Sequence, residues 1–291
     1  MQNNRKGIIL AGGTGSRLYP ISKAISKQLM PVYDKPMIYY ALSTIMLSGT
    51  REILIITTPR EKNSFKDLLG NGNHLGISIK YATQAEPKGL AEALIIGEKF
   101  LNGKPCTLIL GDNLFHGDTL VKKLQSISNE SIGATIFAYS VNDPDRYGIV
   151  EFDNNKKAIN IEEKPLNPKT NFAITGLYFY DSSASERAKT LNYSERGELE
   201  ITDLNSSYLK EGILNVQLLG RGIAWLDTGT PDSLHEASSY IRTLEHRMGF
   251  KIGCPEEVSW RMGWITTQEL INLGSSMGNT LYGKYLLKIT S

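Results

Sequence analysis

The stretch Gly7-Ile8-Ile9-Leu10-Ala11-Gly12-Gly13-Thr14-Gly15-Ser16-Arg17-Leu18 decides how the whole chain is read. An apolar run without polar alternation marks a strand buried on both faces, the kind found in parallel sheets. A glycine-rich loop comes next. Glycines this close together let backbone N–H groups approach a ligand, and concave backbone of this kind binds anions. Two familiar phosphate-binding templates fail here. G-x-G-x-x-G started at Gly13 needs glycine where Leu18 stands, and the P-loop pattern started at Gly7 needs lysine where Gly13 stands. What remains is an anion loop carrying Arg17, a fixed cation able to fork onto phosphate oxygens. The failed fingerprint also disfavours a Rossmann oxidoreductase.

Working outward, Ile53-Leu54-Ile55-Ile56, Ile77 to Tyr81 and Thr107-Leu108-Ile109-Leu110 repeat the buried-strand pattern. Helical patterns over Pro36 to Ser48 and Gly89 to Leu101 lie between them. Strands alternating with helices predict an α/β fold with a Rossmann-like, mainly parallel central sheet covered on both faces. Ligands are then expected at the carboxyl ends of the strands. After Ala134 the strand-like stretches crowd together, at Ala134 to Val141, Gly148 to Phe152, Ala158 to Glu163 and Ile174 to Tyr180. They read as antiparallel strands added to the same sheet. Two helices come after them, over Ala184 to Leu191 and Ile201 to Glu211, then a strand end at Ala224-Trp225-Leu226-Asp227. Thr230-Pro231-Asp232 carries a cap residue, a proline at the first helical position and an early acid, which together open a helix. One α/β domain over 1–250 and a small C-terminal helical appendage over 251–291 account for the chain.

The 291 residues suffice for a core without disulfides or metal. Thirty-two Lys and Arg against 30 Asp and Glu give a net charge of +2, with no basic block, so no nucleic-acid partner is expected. Cys106 and Cys254 are far apart and form no CxxC pair, which suits a reducing compartment. No run reaches the apolar length of a membrane span, and no signal-peptide pattern precedes the first strand. A cytoplasmic protein without a membrane partner is expected.

Several residues carry chemistry. Lys27, in Ser26-Lys27-Gln28-Leu29-Met30-Pro31, supplies a second cation near the edge that holds Arg17. Asp112 and Asp227 each end an apolar strand, where ligands are expected. Carboxylate oxygens there suit Mg²⁺, which takes one or two of them and completes its shell with water and phosphate oxygens. Each aspartate alone reads as readily as a turn or cap residue. His74, His116, His235 and His246 are scattered, with no pair at metal-binding spacing.

Taken together, Gly12-Gly13-x-Gly15-x-Arg17-Leu18-x-Pro20, Lys27-Gln28-Leu29, Tyr33-Asp34-Lys35-Pro36, Leu110-Gly111-Asp112-Asn113, Asp145-Arg146-Tyr147-Gly148, Glu162-Glu163-Lys164-Pro165, Gly197-Glu198-Leu199-Glu200 and Ala224-Trp225-Leu226-Asp227 resemble the nucleoside-diphosphate-sugar pyrophosphorylases, and within them the branch that uses dTTP. The blocks span nearly the whole chain. The resemblance implies the nucleotidyltransferase type of fold, with a nucleotide half over about 1–130 and a sugar-binding half over about 131–230. It implies conversion of dTTP and α-D-glucose 1-phosphate to dTDP-glucose and pyrophosphate, the first step toward dTDP-rhamnose and related sugars of surface polysaccharides.

The same resemblance implies residue roles. Arg17, Lys27, Asp112 and Asp227 would be catalytic, the two aspartates holding Mg²⁺. Gly12, Gly13, Thr14, Gly15, Arg17, Lys27, Gln28, Gln84, Gly89 and Asp112 would bind the nucleotide, the two glutamines and the Gly89 backbone reading thymine. Asn113, Tyr147, Gly148, Glu163, Lys164 and Ile174 would bind the sugar phosphate, with Arg196 near its phosphate. Ala85 and Lys88 stand where the family has proline and an acid. His116-Gly117-Asp118-Thr119 replaces a family Tyr-Gly-His-Asp in a second nucleotide site between subunits of a homotetramer. In the family a dTDP-sugar inhibitor binds there, and Cys254-Pro255-Glu256-Glu257 with Arg261 resembles the other wall of that site. The rival readings are a UTP-using or other hexose-1-phosphate enzyme, and a catalytically silent nucleotide-binding regulator.

Overall fold

The computed structural model describes residues 4–291. In chain order, strand β1 (Lys6–Ala11) leads through the glycine loop to the two-residue arms β2 (Pro31–Val32) and β3 (Lys35–Pro36), then helix α1 (Ile38–Leu47). Next come strand β4 (Glu52–Thr57), helix α2 (Lys62–Leu69) and strand β5 (Ser78–Thr83). Helices α3 (Glu92–Ile96) and α4 (Glu98–Leu101) precede β6 (Cys106–Leu110) and β7 (Asn113–Gly117). Beyond helix α5 (Leu120–Ser128) lie β8 (Ala134–Ser140), β9 (Gly148–Phe152), β10 (Ala158–Glu163) and β11 (Phe172–Tyr180). Helices α6 (Ala184–Lys189) and α7 (Ile201–Lys210), strands β12 (Leu214–Leu218) and β13 (Ile223–Asp227), and helix α8 (Pro231–Met248) complete the main body. Helices α9 (Pro255–Arg261), α10 (Thr267–Ser276) and α11 (Leu281–Lys288) form the C-terminal segment.

Strands β5, β4, β1 and β6 run parallel in that order, each pair fully in register. Successive residues of β1 point to opposite cores. Ile9 and Ala11 pack with α1, while Ile8 and Leu10 pack with α3 and α7. Burial on both faces explains the unbroken apolar runs. The long strand β11 joins the parallel half to the rest. Strand β8 runs along one of its edges, with an irregularity between Ile174 and Tyr178. The other edge is shared: β6 pairs with Leu177–Tyr180, and β9 touches only at Ala173. The sheet therefore divides beside Ile174 to Gly176.

Two expectations change in detail. Asp227 does not end a strand of the central sheet, because β13 pairs with β7 in a separate two-stranded ribbon. The helix expected over Gly89 to Leu101 is interrupted at Gly97, where a side chain would meet Ile8 Cδ1 of β1 at 2.7 Å. The C-terminal segment has its own small core of Cys254, Ile265, Leu270, Tyr285 and Leu286. No described helix is long and apolar enough to cross a membrane.

Gly89 joins the loop after β5 to the segment before α7. Its φ is +102°, and a Cβ there would lie 2.3 Å from the Leu199 carbonyl oxygen. Both the conformation and the space demand glycine. Gly89→Ala is expected to lower stability by about 2–3 kcal/mol, read as a drop in urea midpoint. An unchanged midpoint would refute this close approach.

Candidate active site

The carboxyl ends of the parallel strands bring three loops to one edge. Gly12 comes just after β1, Gln84 after β5 and Asp112 after β6. Gly13 has φ +89°, and no atom lies within 4 Å of where its Cβ would stand, so the loop backbone is open to a ligand. A cavity of about 290 Å³ is lined here by Gly12, Gly13, Arg17, Gln28, Gln84, Gly89 and Asp112. A second cavity, of about 270 Å³, opens where the sheet divides. Asp112, Asn113, Tyr147, Gly148, Glu163, Lys164, Ile174, Arg196 and Asp227 line it, again with Arg17. The two cavities thus share a wall at Arg17 and Asp112. Thr14 and Gly15 line neither, and Lys27 reaches the site through Asp112.

The acids are held at this wall by backbone pairing. Asp227 is the register partner of Asn113, so the β7–β13 ribbon sets Asp227 beside the residue next to Asp112. The Thr228 hydroxyl donates to the Asp112 carbonyl at 3.0 Å and closes the corner. Burial opposes the charge on Asp112. The Lys27 ammonium at 2.6 Å and the Asn113 amide at 3.0 Å more than offset this and hold its carboxyl below the usual carboxylate range. Asp227 behaves oppositely. Burial, then the Asp112 charge, push it above that range, although Lys27, Arg17 and Arg146 work the other way. Arg146 Nη2 and the Tyr147 hydroxyl each donate to Asp227 Oδ2 at 3.4 Å. Burial and Asp227 push the Tyr147 phenol up to about 12.

This donor set fits a divalent cation. Two mutually repelling carboxylates face a cavity that also holds Arg17, Arg146, Lys164 and Arg196, and Mg²⁺ needs only one or two protein carboxylates. Among the described residues no group of three or more His, Cys, Asp or Glu forms a metal cage, so water and substrate oxygens would have to complete the shell.

The hairpin C-terminal to Lys27 fixes that lysine in place. Its short 3₁₀ turn runs into β2 and β3, and the Tyr40 hydroxyl donates to the Val32 carbonyl at 2.8 Å. Lys35, with 1% of its side chain exposed, bridges Asp34 at 2.6 Å and Glu245 of α8 at 2.8 Å. In the first cavity, Gln84 Nε2 donates to Glu92 Oε2 at 2.6 Å and to the Gly89 carbonyl at 3.2 Å. Its donors are committed, so the side chain offers Oε1 as an acceptor. At the second cavity, Lys164 takes a left-handed φ of 42° and donates its N–H to the Tyr147 carbonyl at 3.1 Å. Such strain is stored mainly at functional sites. Arg196 Nη2 pairs with Glu163 at 3.2 Å, Glu198 at 3.7 Å and Glu200 at 2.8 Å.

Arg146, Trp225, Thr202, Glu198 and Glu200 also line the second cavity, and Glu92 fixes Gln84. Sequence reasoning gave none of them a role, although all but Glu92 lie inside or beside the motifs that carry the family resemblance. A third cavity, of about 580 Å³, lies between α1 and the C-terminal segment. Its lining includes His116, Gly117, Asp118, Cys254, Glu257 and Arg261.

Residues 6–243 match the profile of the nucleotidyl transferase family. The chain belongs to this family. A glucose-1-phosphate thymidylyltransferase of Neisseria meningitidis serogroup A is 55% identical over 98% of this chain and 99% of that protein. One of Mycobacterium tuberculosis is 53% identical over 98% of both. Among solved structures, a Bacillus anthracis protein assigned as a glucose-1-phosphate thymidylyltransferase, in complex with a sucrose, superposes with a TM-score of 0.76. It is 42% identical and covers 82% of this chain and 95% of its own. A UDP-glucose pyrophosphorylase with UDP-glucose shares the fold at a TM-score of 0.73 and 24% identity.

The repulsion felt by Asp227 predicts a pH-dependent stability. Its raised carboxyl favours the folded state while protonated and disfavours it once ionised. In the metal-free protein, Asp227→Asn is therefore expected to raise Tm by a few degrees near about pH 8, with the gain fading toward about pH 4. A calorimetric scan showing no gain at the higher pH would remove the repulsion argument.

Proposed function

We propose that this protein transfers a thymidylyl group from dTTP to α-D-glucose 1-phosphate, forming dTDP-glucose and pyrophosphate. The observation that carries the reading is the common wall. One cavity offers a glycine loop and two amides suited to a nucleotide. The other offers acids and cations suited to a sugar phosphate. Arg17 and Asp112 stand where the two meet. The named relatives support the choice of nucleotide and sugar.

In this reading a sugar-1-phosphate oxygen attacks the α-phosphorus, and the bond to the bridging α–β oxygen breaks as pyrophosphate leaves. The nucleophile is already ionised near neutral pH, so no side chain need remove a proton. The reaction asks the protein mainly for positioning and charge stabilisation. Lys27 orients the α-phosphate. Arg17 stabilises charge on it and on the departing pyrophosphate. Lys164 and Arg196 hold the sugar phosphate, and Glu163, Tyr147, Gly148, Asn113 and Ile174 surround the hexose. Gln28, Gln84 and the Gly89 backbone read the base. Asp112 and Asp227 would hold Mg²⁺, which would supply positive charge against the gathered phosphates. The division into a nucleotide half over about 1–130 and a sugar half over about 131–230, with an appendage over 251–291, belongs to the same reading. So do a cytoplasmic location, a homotetramer, and inhibition by a dTDP-sugar at the third cavity. His116 in that cavity has its imidazole pushed down by burial, so it would meet such a ligand uncharged near neutral pH.

The competing nucleotide is UTP, because uracil lacks only a methyl group, worth about 1–3 kcal/mol in a pocket. Pyrophosphate release measured across four nucleoside triphosphates and several hexose 1-phosphates, with and without Mg²⁺, is expected to be highest for dTTP with glucose 1-phosphate and to require the metal. Preference for another pair would overturn the assignment. Arg17→Ala is expected to lower kcat by about 10²–10³-fold with a much smaller rise in KM. The reverse pattern would make Arg17 a binding residue only.

A further inference from the structure

The Asn113 side chain is nearly buried, and three of the four hydrogen-bonding positions of its amide are taken within the protein. The residue is 3% exposed. Its oxygen accepts from two donors, the Trp225 indole N–H at 2.6 Å and the Gly176 backbone N–H at 3.0 Å. Those two donors fix which end of the amide faces which way, since an NH₂ group could accept from neither. The nitrogen is thereby turned toward Asp112, donating to Oδ1 at 3.0 Å. Lys27 takes the other oxygen, Oδ2, at 2.6 Å.

The three anchors come from three elements. Gly176 lies on β11 where the sheet divides, and a side chain there would come within 2.7 Å of the Asn113 amide oxygen. Trp225 lies on β13, two residues before Asp227, and its ring packs edge-on against Tyr147 at 5.2 Å. Asn113 itself begins β7, paired in register with Asp227. One buried amide thus refers the orientation of Asp112 to the sugar-side sheet and to the strand carrying Asp227.

We propose that Asn113 is a positioning residue for Asp112, and that the Trp225 indole N–H and the Gly176 N–H together orient the Asn113 amide for that task. This rests on the reading of Asp112 as a metal carboxylate. It departs from Asn113 as a side-chain contact to the sugar. Groups of this kind around metal carboxylates are worth about 10–100-fold in metal affinity or activity.

The test is Mn²⁺ binding, titrated by electron paramagnetic resonance into the whole protein, set beside steady-state kinetics. Asn113→Ala is expected to weaken Mn²⁺ binding about 10-fold and to lower kcat, with KM for glucose 1-phosphate held within about twofold. Trp225→Phe keeps an aromatic side chain there, though a smaller one, and removes one of the two orienting donors. It is expected to move Mn²⁺ affinity in the same direction by less, and it decides the question should Asn113→Ala fail to fold. Unchanged Mn²⁺ affinity in the folded variants, with a raised KM for glucose 1-phosphate, would overturn the proposal and restore a direct sugar contact. A wild-type protein that binds no Mn²⁺ would remove the metal reading, and this inference with it.

Discussion

Two carboxylates pressed toward each other in a half-enclosed cleft impose the constraint around which this molecule is arranged. Backbone pairing puts them there: Asp227 is the register partner of the residue after Asp112, and Thr228 ties the two chain segments together. Like charges so placed raise each other's proton affinity unless something intervenes. Lys27 intervenes for Asp112, and the result is asymmetric, with Asp112 held down and Asp227 pushed up. The hairpin that follows Lys27 is anchored on α8 through the buried Lys35–Glu245 pair. Breaking such a pair leaves an uncompensated buried charge, so the anchor is firm even where its net stabilisation is small.

The second organising feature is the division of the sheet. A parallel α/β half supplies one ligand edge, at the carboxyl ends of its strands. Two ligands that must react need a second wall facing the first. Strand β11 provides it, pairing with β6 along one part of its edge and with β9 only at Ala173. The gap exposes Ile174 and Gly176 to the sugar-side cavity. Strands β9 and β10 carry Tyr147, Gly148, Glu163 and Lys164 to its far side through the Glu163–Gly148 pairing. Antiparallel strands beside a parallel sheet thus place acids and cations around the second cavity without disturbing the glycine loop.

Much of this was legible in local pattern. The unbroken runs at Ile53 to Ile56 and Thr107 to Leu110 gave the buried strands, and the crowding after Ala134 gave the antiparallel half. Thr230-Pro231 opened α8 as its cap chemistry required, with the Thr230 side chain accepting from the Ser233 N–H. What stayed hidden depends on distant partners. Strand β7 reads Asn-Leu-Phe-His-Gly, too short and mixed to declare itself, and its partner β13 lies far along the chain. The placing of Asp227 in a ribbon, not in the main sheet, results from that pairing alone. At Gly97 the close approach of Ile8 leaves no room for a side chain, a constraint that no local propensity encodes. Arg146, Glu92 and Glu200 act through side-chain partners that only the folded chain brings near.

The cations around the two cavities are mostly engaged before any ligand arrives. Lys27 sits on Asp112, Lys164 and Arg196 both pair with Glu163, and Arg146 bridges Asp143 and Asp227. Arg17 makes no salt bridge among the described residues, although it lines both cavities. An anion entering the site therefore exchanges partners with protein carboxylates at most positions, and the net gain in ground-state binding is moderated. At Arg17 no salt bridge has to be broken, although its charge is attracted to Asp227. Its guanidinium lies beside the Asp227–Gly229 turn, where charge developing on the phosphates during reaction would meet it. Interactions that strengthen in the transition state raise turnover, whereas those equal in both states lower KM alone. The distribution of ion pairs thus separates the cations already paired with carboxylates from Arg17, which has no salt bridge among the described residues.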